Sequence, residues 1–348
     1  MSATAAGWSR PRERGNASLT RLAAWLILRF GWLAGQMMMM PVAAWFIVAS
    51  RPARIASRGF LALVLGRPAG TRDVSRHFLC CANIVLDRLF MLAGRIAAYE
   101  FEVEGLEALR AELDRGRGCL LLGSHLGSFE AVRAIAADCP QRIRPMMYRA
   151  NGAAPTRLLE SLNPALARDI IEIGTFGAML EAREAIGRGE ILGLLGDRAH
   201  RGEKSKTIEF LGHPASFPTG PMLLAGALGA PVFLFFAPRV GSRRYRIIIE
   251  PFCDGAQLRH GDRDATVDIW LRRYVARLEQ QCRAHPFNWF NFFDFWGAFA
   301  DAGSATGAME PVVPGLAAGL RRAGQRGDGS IVLGRDADAR PRLGAPAP

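Results

Sequence analysis

The run Cys119-Leu120-Leu121-Leu122-Gly123 leads directly into Ser124-His125-Leu126-Gly127-Ser128, and an apolar-periodic stretch follows from Glu130 to Ala137. A short uncharged run ending at a Gly-Ser turn reads as a buried strand. It delivers His125 to a sheet edge and places Ser128 to cap the next helix. Glu130 follows in the first turn of that helix, where its carboxylate can reach back to the imidazole. A histidine with a carboxylate is the minimum equipment of a general base. A lone histidine at a strand end is also an ordinary loop residue, so the rest of the chain has to decide.

The remaining sequence alternates strand-like and helix-like segments. Strands are expected at Tyr99–Val103, Arg142–Tyr148, Asp169–Ile173, Ile191–Leu195, Lys206–Leu211, Pro231–Ala237 and Tyr245–Glu250. Helices are expected at Leu106–Leu113, Pro155–Leu162, Phe176–Arg188, from Phe217 to Leu228, and at Val267–His285. This alternation predicts an α/β fold, a single domain whose mixed central sheet is flanked by helices. The chain of 348 residues allows one such domain with extensions. The six cysteines show no CxxC and no zinc spacing, so they read as small buried hydrophobes and no metal is expected.

The N-terminal part has a different character. Residues 1–60 hold eight arginines against the single acid Glu13, and the uncharged run Phe30–Ser50 lies between them. Trp25 and Trp32 on one side and Trp45 and Arg51 on the other resemble interfacial anchors. Pro41 should kink or break a helix there, and arginines on both flanks give little orientation bias. A monotopic anchor or re-entrant hairpin is therefore preferred over a single span. Basic residues flanking an apolar stretch favour anionic lipid as partner, and no motif for nucleic acid appears. The predicted organisation is a disordered basic segment at 1–18, a membrane-anchoring helical region at 19–98, a catalytic α/β domain at 99–300 and a disordered tail at 301–348.

Three expected strands end in polar groups: His125 with Glu130, Arg149, and Asp197 with Arg198. In open α/β sheets functional side chains gather where strands terminate. No GxSxG elbow supplies a nucleophilic serine, and no phosphate-binding GxxxxGK[ST] loop supports nucleotide chemistry. A base, an orienting carboxylate and cationic groups suit the activation of a hydroxyl or amine for attack on an acyl carbonyl.

His125 and Glu130 match the His-x4-Asp/Glu motif, and the chain resembles the lysophospholipid acyltransferase superfamily. Within it, the chain is most similar to the branch containing the late acyltransferases of lipid A synthesis. The supporting segments are Met147-Tyr148-Arg149, Leu195-Gly196-Asp197-Arg198, Phe210 to Ala215, Phe217-Pro218-Thr219-Gly220, and the ending Asn288 to Trp296. The resemblance implies acyl transfer from acyl carrier protein or coenzyme A to a hydroxyl of a membrane lipid or glycolipid, on the cytoplasmic face of a bacterial-type inner membrane. It implies no cofactor beyond the thioester co-substrate. His125 would be the base and Glu130 would fix its tautomer, with the amides of Gly127 and Ser128 as oxyanion donors. Arg149 and Arg198 would contact phosphate or oxyanion, Asp197 would orient an arginine, and Gly212 and Gly220 would border the pocket. Branches with the Gly-Asp-Arg turn also serve aryl-polyene and other lipid pathways, which leaves the acceptor open. A lipid (thio)esterase and a non-catalytic lipid-binding protein are the alternatives.

Overall fold

The computed structural model describes residues 17–135, 141–147, 162–199, 203–259 and 263–297. Arg149, residues 155–161 of the helix expected at 155–162, the tail 301–348 and residues 1–16 lie outside them. The strands are β1 (Glu100–Glu104), β2 (Cys119–Gly123), β3 (Ile143–Met147), β4 (Ile171–Glu172), β5 (Ile191–Leu195), β6 (Ser205–Phe210), β7 (His213–Pro218), β8 (Pro231–Phe236), β9 (Arg239–Gly241) and β10 (Arg244–Asp254). All but β6 and β7 form one sheet in the order β1-β10-β8-β2-β5-β3-β4, with β9 on β10. From β8 to β4 every pair is parallel, while β10 runs against β8 and alongside β1. The sheet is therefore mixed, as expected, and mostly parallel.

The apolar run of β2 follows from its central place. Leu120 and Leu122 face one core with Leu192, Phe236, Tyr274 and Trp289, while Cys119 and Leu121 face the other with Phe233 and Phe235. A strand covered on both faces has no position left for a polar side chain. Each fully buried leucine there contributes about 1.5–3 kcal/mol. The second core takes residues from α4 (Thr71–Leu92), α5 (Leu106–Asp114) and α6 (Phe129–Ile135), and from the N-terminal helices described below. The first core lies beneath α8 (Ala178–Gly187), α9 (Gly220–Leu228) and α10 (Arg263–Ala284), with α7 (Pro164–Asp169) beside β3.

The N-terminal residues fold as α1 (Ala17–Phe30), α2 (Trp32–Ala49) and α3 (Arg51–Leu65), which precede α4. The expected break at Pro41 does not occur, and α2 runs through it. The chain turns instead at Gly31, whose φ of +92° suits a residue without a Cβ. Trp32 Nε1 donates to Asp87 at 2.7 Å and Gln36 to Asn83 at 3.1 Å, so α2 lies antiparallel along α4. Gly35 allows this approach, because a Cβ there would meet a Leu86 methyl at 2.7 Å. Asp87 is fully buried and also accepts from Tyr99, Tyr245 and Arg239. Phe60, Leu61, Val74 and Phe78 share a core with Leu120 and Leu122. No packing boundary therefore falls at the expected junction between residues 98 and 99.

Candidate active site

Strands β2 and β5 pair in parallel with Gly123 opposite Leu195. Two residues further along each strand stand His125 and Asp197, so the register alone brings them side by side at the sheet edge. The His125 Nδ1 lies 2.7 Å from Asp197 Oδ1, and the His125 backbone N–H reaches both carboxylate oxygens at 3.1 Å. Asp197 Oδ2 also accepts from Trp289 Nε1 at 2.9 Å and from Asn291 Nδ2 at 3.0 Å. The carboxylate is fully buried. Burial alone pushes its pKa up, but the charge and hydrogen bonds of His125, together with Arg198, outweigh this and hold it well below the usual carboxylate range. Asp197 thus stays ionised beside the imidazole.

The aromatic ending closes this arrangement from the other side. Trp289 bridges Leu126 in antiparallel fashion, Phe290 N–H donates to the His125 carbonyl at 3.0 Å, and Gly127 N–H donates to the Asn288 carbonyl at 2.8 Å. The Trp289 carbonyl accepts from His77 Nε2 at 2.8 Å, and Ser57 Oγ is 2.9 Å from the other ring nitrogen. His77 is fully buried, and this desolvation lowers its pKa to about 4. Being neutral, it carries one proton, and that proton belongs on the Nε2 facing the carbonyl.

The geometry corrects several expectations. The carboxylate on the imidazole Nδ1 is Asp197, whereas Glu130 pairs with Arg88, its Oε1 2.8 Å from the arginine Nε. A neighbouring strand supplies the acid because parallel register aligns strand ends, while the first turn of α6 faces α4. The amides of Gly127 and Ser128 are not available as oxyanion donors, since they are spent on the carbonyls of Asn288 and Ala237. Gly127 is needed for another reason: at φ +77° a Cβ would lie 1.9 Å from the Ala237 oxygen. Ser128 does cap α6, its Oγ accepting from Ala131 N–H at 3.4 Å.

Other expected residues are placed as follows. Arg198 Nε donates to Asn291 Oδ1 at 2.5 Å and its Nη2 to the Phe290 carbonyl at 2.9 Å, so it braces the aromatic ending. Gly212 forms a two-residue hairpin turn with Leu211, both at positive φ, between β6 and β7. Leu211 N–H is held by Glu279 at 2.7 Å. Gly212 is thus a turn residue on the α10 side. Gly220 opens α9, and a Cβ on it would meet Glu203 at 2.5 Å. The residues that sequence reasoning missed are His77, Arg88, Asn288, Trp289 and Asn291. Two asparagines inside an aromatic run were the available signal, because buried amides need partners.

A cavity of about 480 Å³ lined by Arg142, Arg144, Arg168, Asp169, Arg188 and Glu190 lies where β3 and β5 begin, at the opposite edge from His125. Of its arginines, Arg144 pairs with Glu181 outside the lining and Arg188 with Glu190 within it. Among the described residues no group of three or more His, Cys, Asp or Glu side chains could hold a metal. The thiols of Cys80, Cys81, Cys119 and Cys253 are pushed up to about 11 or 12 by burial, which leaves them poor nucleophiles.

An imidazole fixed through Nδ1 by a buried carboxylate, at the rim of a parallel sheet, is equipped to accept a proton through its other nitrogen. No curated protein matches the chain. The family model of bacterial lipid A biosynthesis acyltransferases matches residues 88–297, from α4 to the end of the aromatic segment. That span covers more than half of the sequence and takes in His125, Asp197, Trp289 and Asn291, and the chain belongs to this family of lipid acyltransferases.

Proposed function

We propose that the protein transfers a fatty acyl chain from a thioester, carried by acyl carrier protein or coenzyme A, to a hydroxyl of a membrane lipid or glycolipid. The observation that carries this reading is the 2.7 Å contact between His125 Nδ1 and the buried Asp197, in a chain of this family. His125 Nε2 takes the proton of the acceptor hydroxyl as that oxygen attacks the thioester carbonyl. Asp197 keeps the proton on Nδ1 and stabilises the imidazolium. Collapse of the tetrahedral intermediate breaks the C–S bond, and the imidazolium returns its proton to the departing thiolate. Arg149 is proposed to contact phosphate or oxyanion. Arg198 is assigned to holding Asn291 and thereby Asp197.

Both substrates then meet at a membrane surface. The helix Trp32–Ala49 is long and apolar enough to cross a bilayer. It exposes Leu33, Met37, Met40, Trp45 and Val48, and α1 adds Leu22, Trp25 and Phe30. Yet α2 lies along α4, which carries Arg76, His77, Asp87 and Arg88. A spanning α2 would carry those groups to bilayer depth at a cost of several kcal/mol. The helix is therefore proposed to lie in the plane of the interface, with Arg29 and Arg51 at its two ends near anionic lipid.

Mass spectrometry of the host's lipids with and without His125→Ala tests the reading. The variant should fold normally and lower kcat by about 10²–10⁴-fold, the usual general-base contribution. One lipid should lose an acyl group that only the unaltered protein restores. An unchanged lipid profile with His125→Ala would refute it.

A further inference from the structure

The Trp289 carbonyl is held by a side chain that no step of the reaction uses. Leu126 and Trp289 form an antiparallel bridge whose two hydrogen bonds belong to their neighbours, Gly127 N–H to the Asn288 carbonyl and Phe290 N–H to the His125 carbonyl. In such a bridge the central pair turns its own N–H and C=O away from the partner segment. The outward carbonyl of Trp289 is taken by His77 Nε2 of α4 at 2.8 Å. Ser57 of α3 closes the other end: its hydroxyl stands 2.9 Å from Nδ1, which leaves the single proton of the neutral ring on Nε2. Ser57 and His77 are both fully buried. Both precede residue 88, where the family match begins.

Residues 288–297 form neither helix nor strand beyond this bridge, so side-chain contacts set where Trp289 stands. His77 makes several of them, its ring lying 5.8 Å from the Phe290 ring and 4.6 Å from the Phe292 ring. A phenylalanine or leucine would fill that aromatic surrounding without the cost of burying two ring nitrogens. What the imidazole adds is a donor aimed at one carbonyl. With its C=O tied to α4 and its neighbours tied to residues 125 and 127, Trp289 has one backbone placement, and its indole N–H meets Asp197 Oδ2 at 2.9 Å. Asp197 Oδ1 in turn meets His125 Nδ1 at 2.7 Å. We propose that His77, its proton fixed by Ser57, is a positioning residue for the acyl transfer, acting through Trp289 on the Asp197 carboxylate that orients His125. The proposal rests on the acyl-transfer reading above. The base is thus oriented in part by two helices that precede the sheet.

The test is steady-state kinetics of the full-length protein, with each substrate varied in turn and rates divided by the folded fraction from thermal unfolding. His77→Phe keeps the ring contacts and removes the donor, whereas His77→Gln loses the ring and keeps a donor. His77→Phe should lower kcat about 10–100-fold, the scale of a small misplacement of a reacting group, with both KM values within about threefold. His77→Leu, equally without a donor, should do the same where His77→Phe does not fold. His77→Gln should restore kcat to within about threefold of wild type, because its amide can donate to the same carbonyl. In a Trp289→Phe background, where the indole donor is already absent, adding His77→Phe should change kcat by less than about twofold. The proposal is overturned if a folded variant without the donor keeps wild-type kcat, if His77→Gln is damaged as much as His77→Phe, or if the two losses multiply in the double variant. Full transfer by His125→Ala would instead overturn the underlying acyl-transfer reading, whatever the His77 variants do.

Discussion

Asp197→Asn is the substitution for which the structure makes the sharpest prediction. Oδ1 of Asp197 faces the His125 Nδ1, while Oδ2 receives the side-chain donors of Trp289 and Asn291. An asparagine has a single side-chain acceptor for these two positions. Its oxygen will turn toward the side with two donors, because leaving both Trp289 and Asn291 unpaired costs about 1–3 kcal/mol each. The amide nitrogen then faces Nδ1, which must accept rather than donate, and the imidazole proton moves to Nε2. A histidine protonated there is no base. Loss of the carboxylate from a comparable triad lowers kcat about 10⁴-fold, equivalent to about 5.5 kcal/mol. The assay is acyl transfer from a purified thioester to a lipid acceptor in mixed micelles, with thermal unfolding measured alongside. Folding should persist with a modest fall in Tm. Retention of more than a tenth of the wild-type kcat by a folded Asp197→Asn protein would refute the tautomer argument.

Other outcomes follow from the same groups. The Asp197 pKa is depressed in the folded state, so its contribution to stability is complete above about pH 4, the ordinary carboxylate value, and is lost as pH falls further. Chemical denaturation across pH 2–5 should show a steeper loss for wild type than for Asp197→Asn. His77 is likewise depressed, to about 4, so the folded state should weaken between about pH 6.5 and 4, where only the unfolded chain binds its proton. This slope should vanish from the urea midpoints of His77→Gln. Met37→Glu with Val48→Glu, both on the exposed face of α2, should reduce sedimentation with anionic vesicles by at least tenfold while soluble-thioester turnover persists.

Local patterns revealed much of the fold. The strands at Ile191–Leu195 and Pro231–Phe236 needed only apolar runs, which are short-range signals. Asp197 was visible as a polar residue at a strand end, but its pairing with His125 depends on β2 lying beside β5, which no local pattern encodes. The same holds for Gly127 and Ser128, whose amides meet carbonyls from residues 288 and 237. Glu130 was favoured because it is close in sequence. Sheet register gave the imidazole to a residue seventy-two positions away instead.

The buried Asp87 has a bearing on how this enzyme can be handled. Its four donor residues include Trp32 of α2, so the apolar helix supplies part of the neutralising shell of an interior charge. Removing residues 1–50 to obtain a detergent-free enzyme would remove that donor and lay open the surface of Leu86 against which Gly35 rests. Water would then reach a carboxylate whose arginine partner, Arg239, also shares two backbone–side-chain hydrogen bonds with Asn288. Solubilisation is better sought by recolouring the outer face of α2 with polar residues and leaving Trp32, Gly35 and Gln36 as they are.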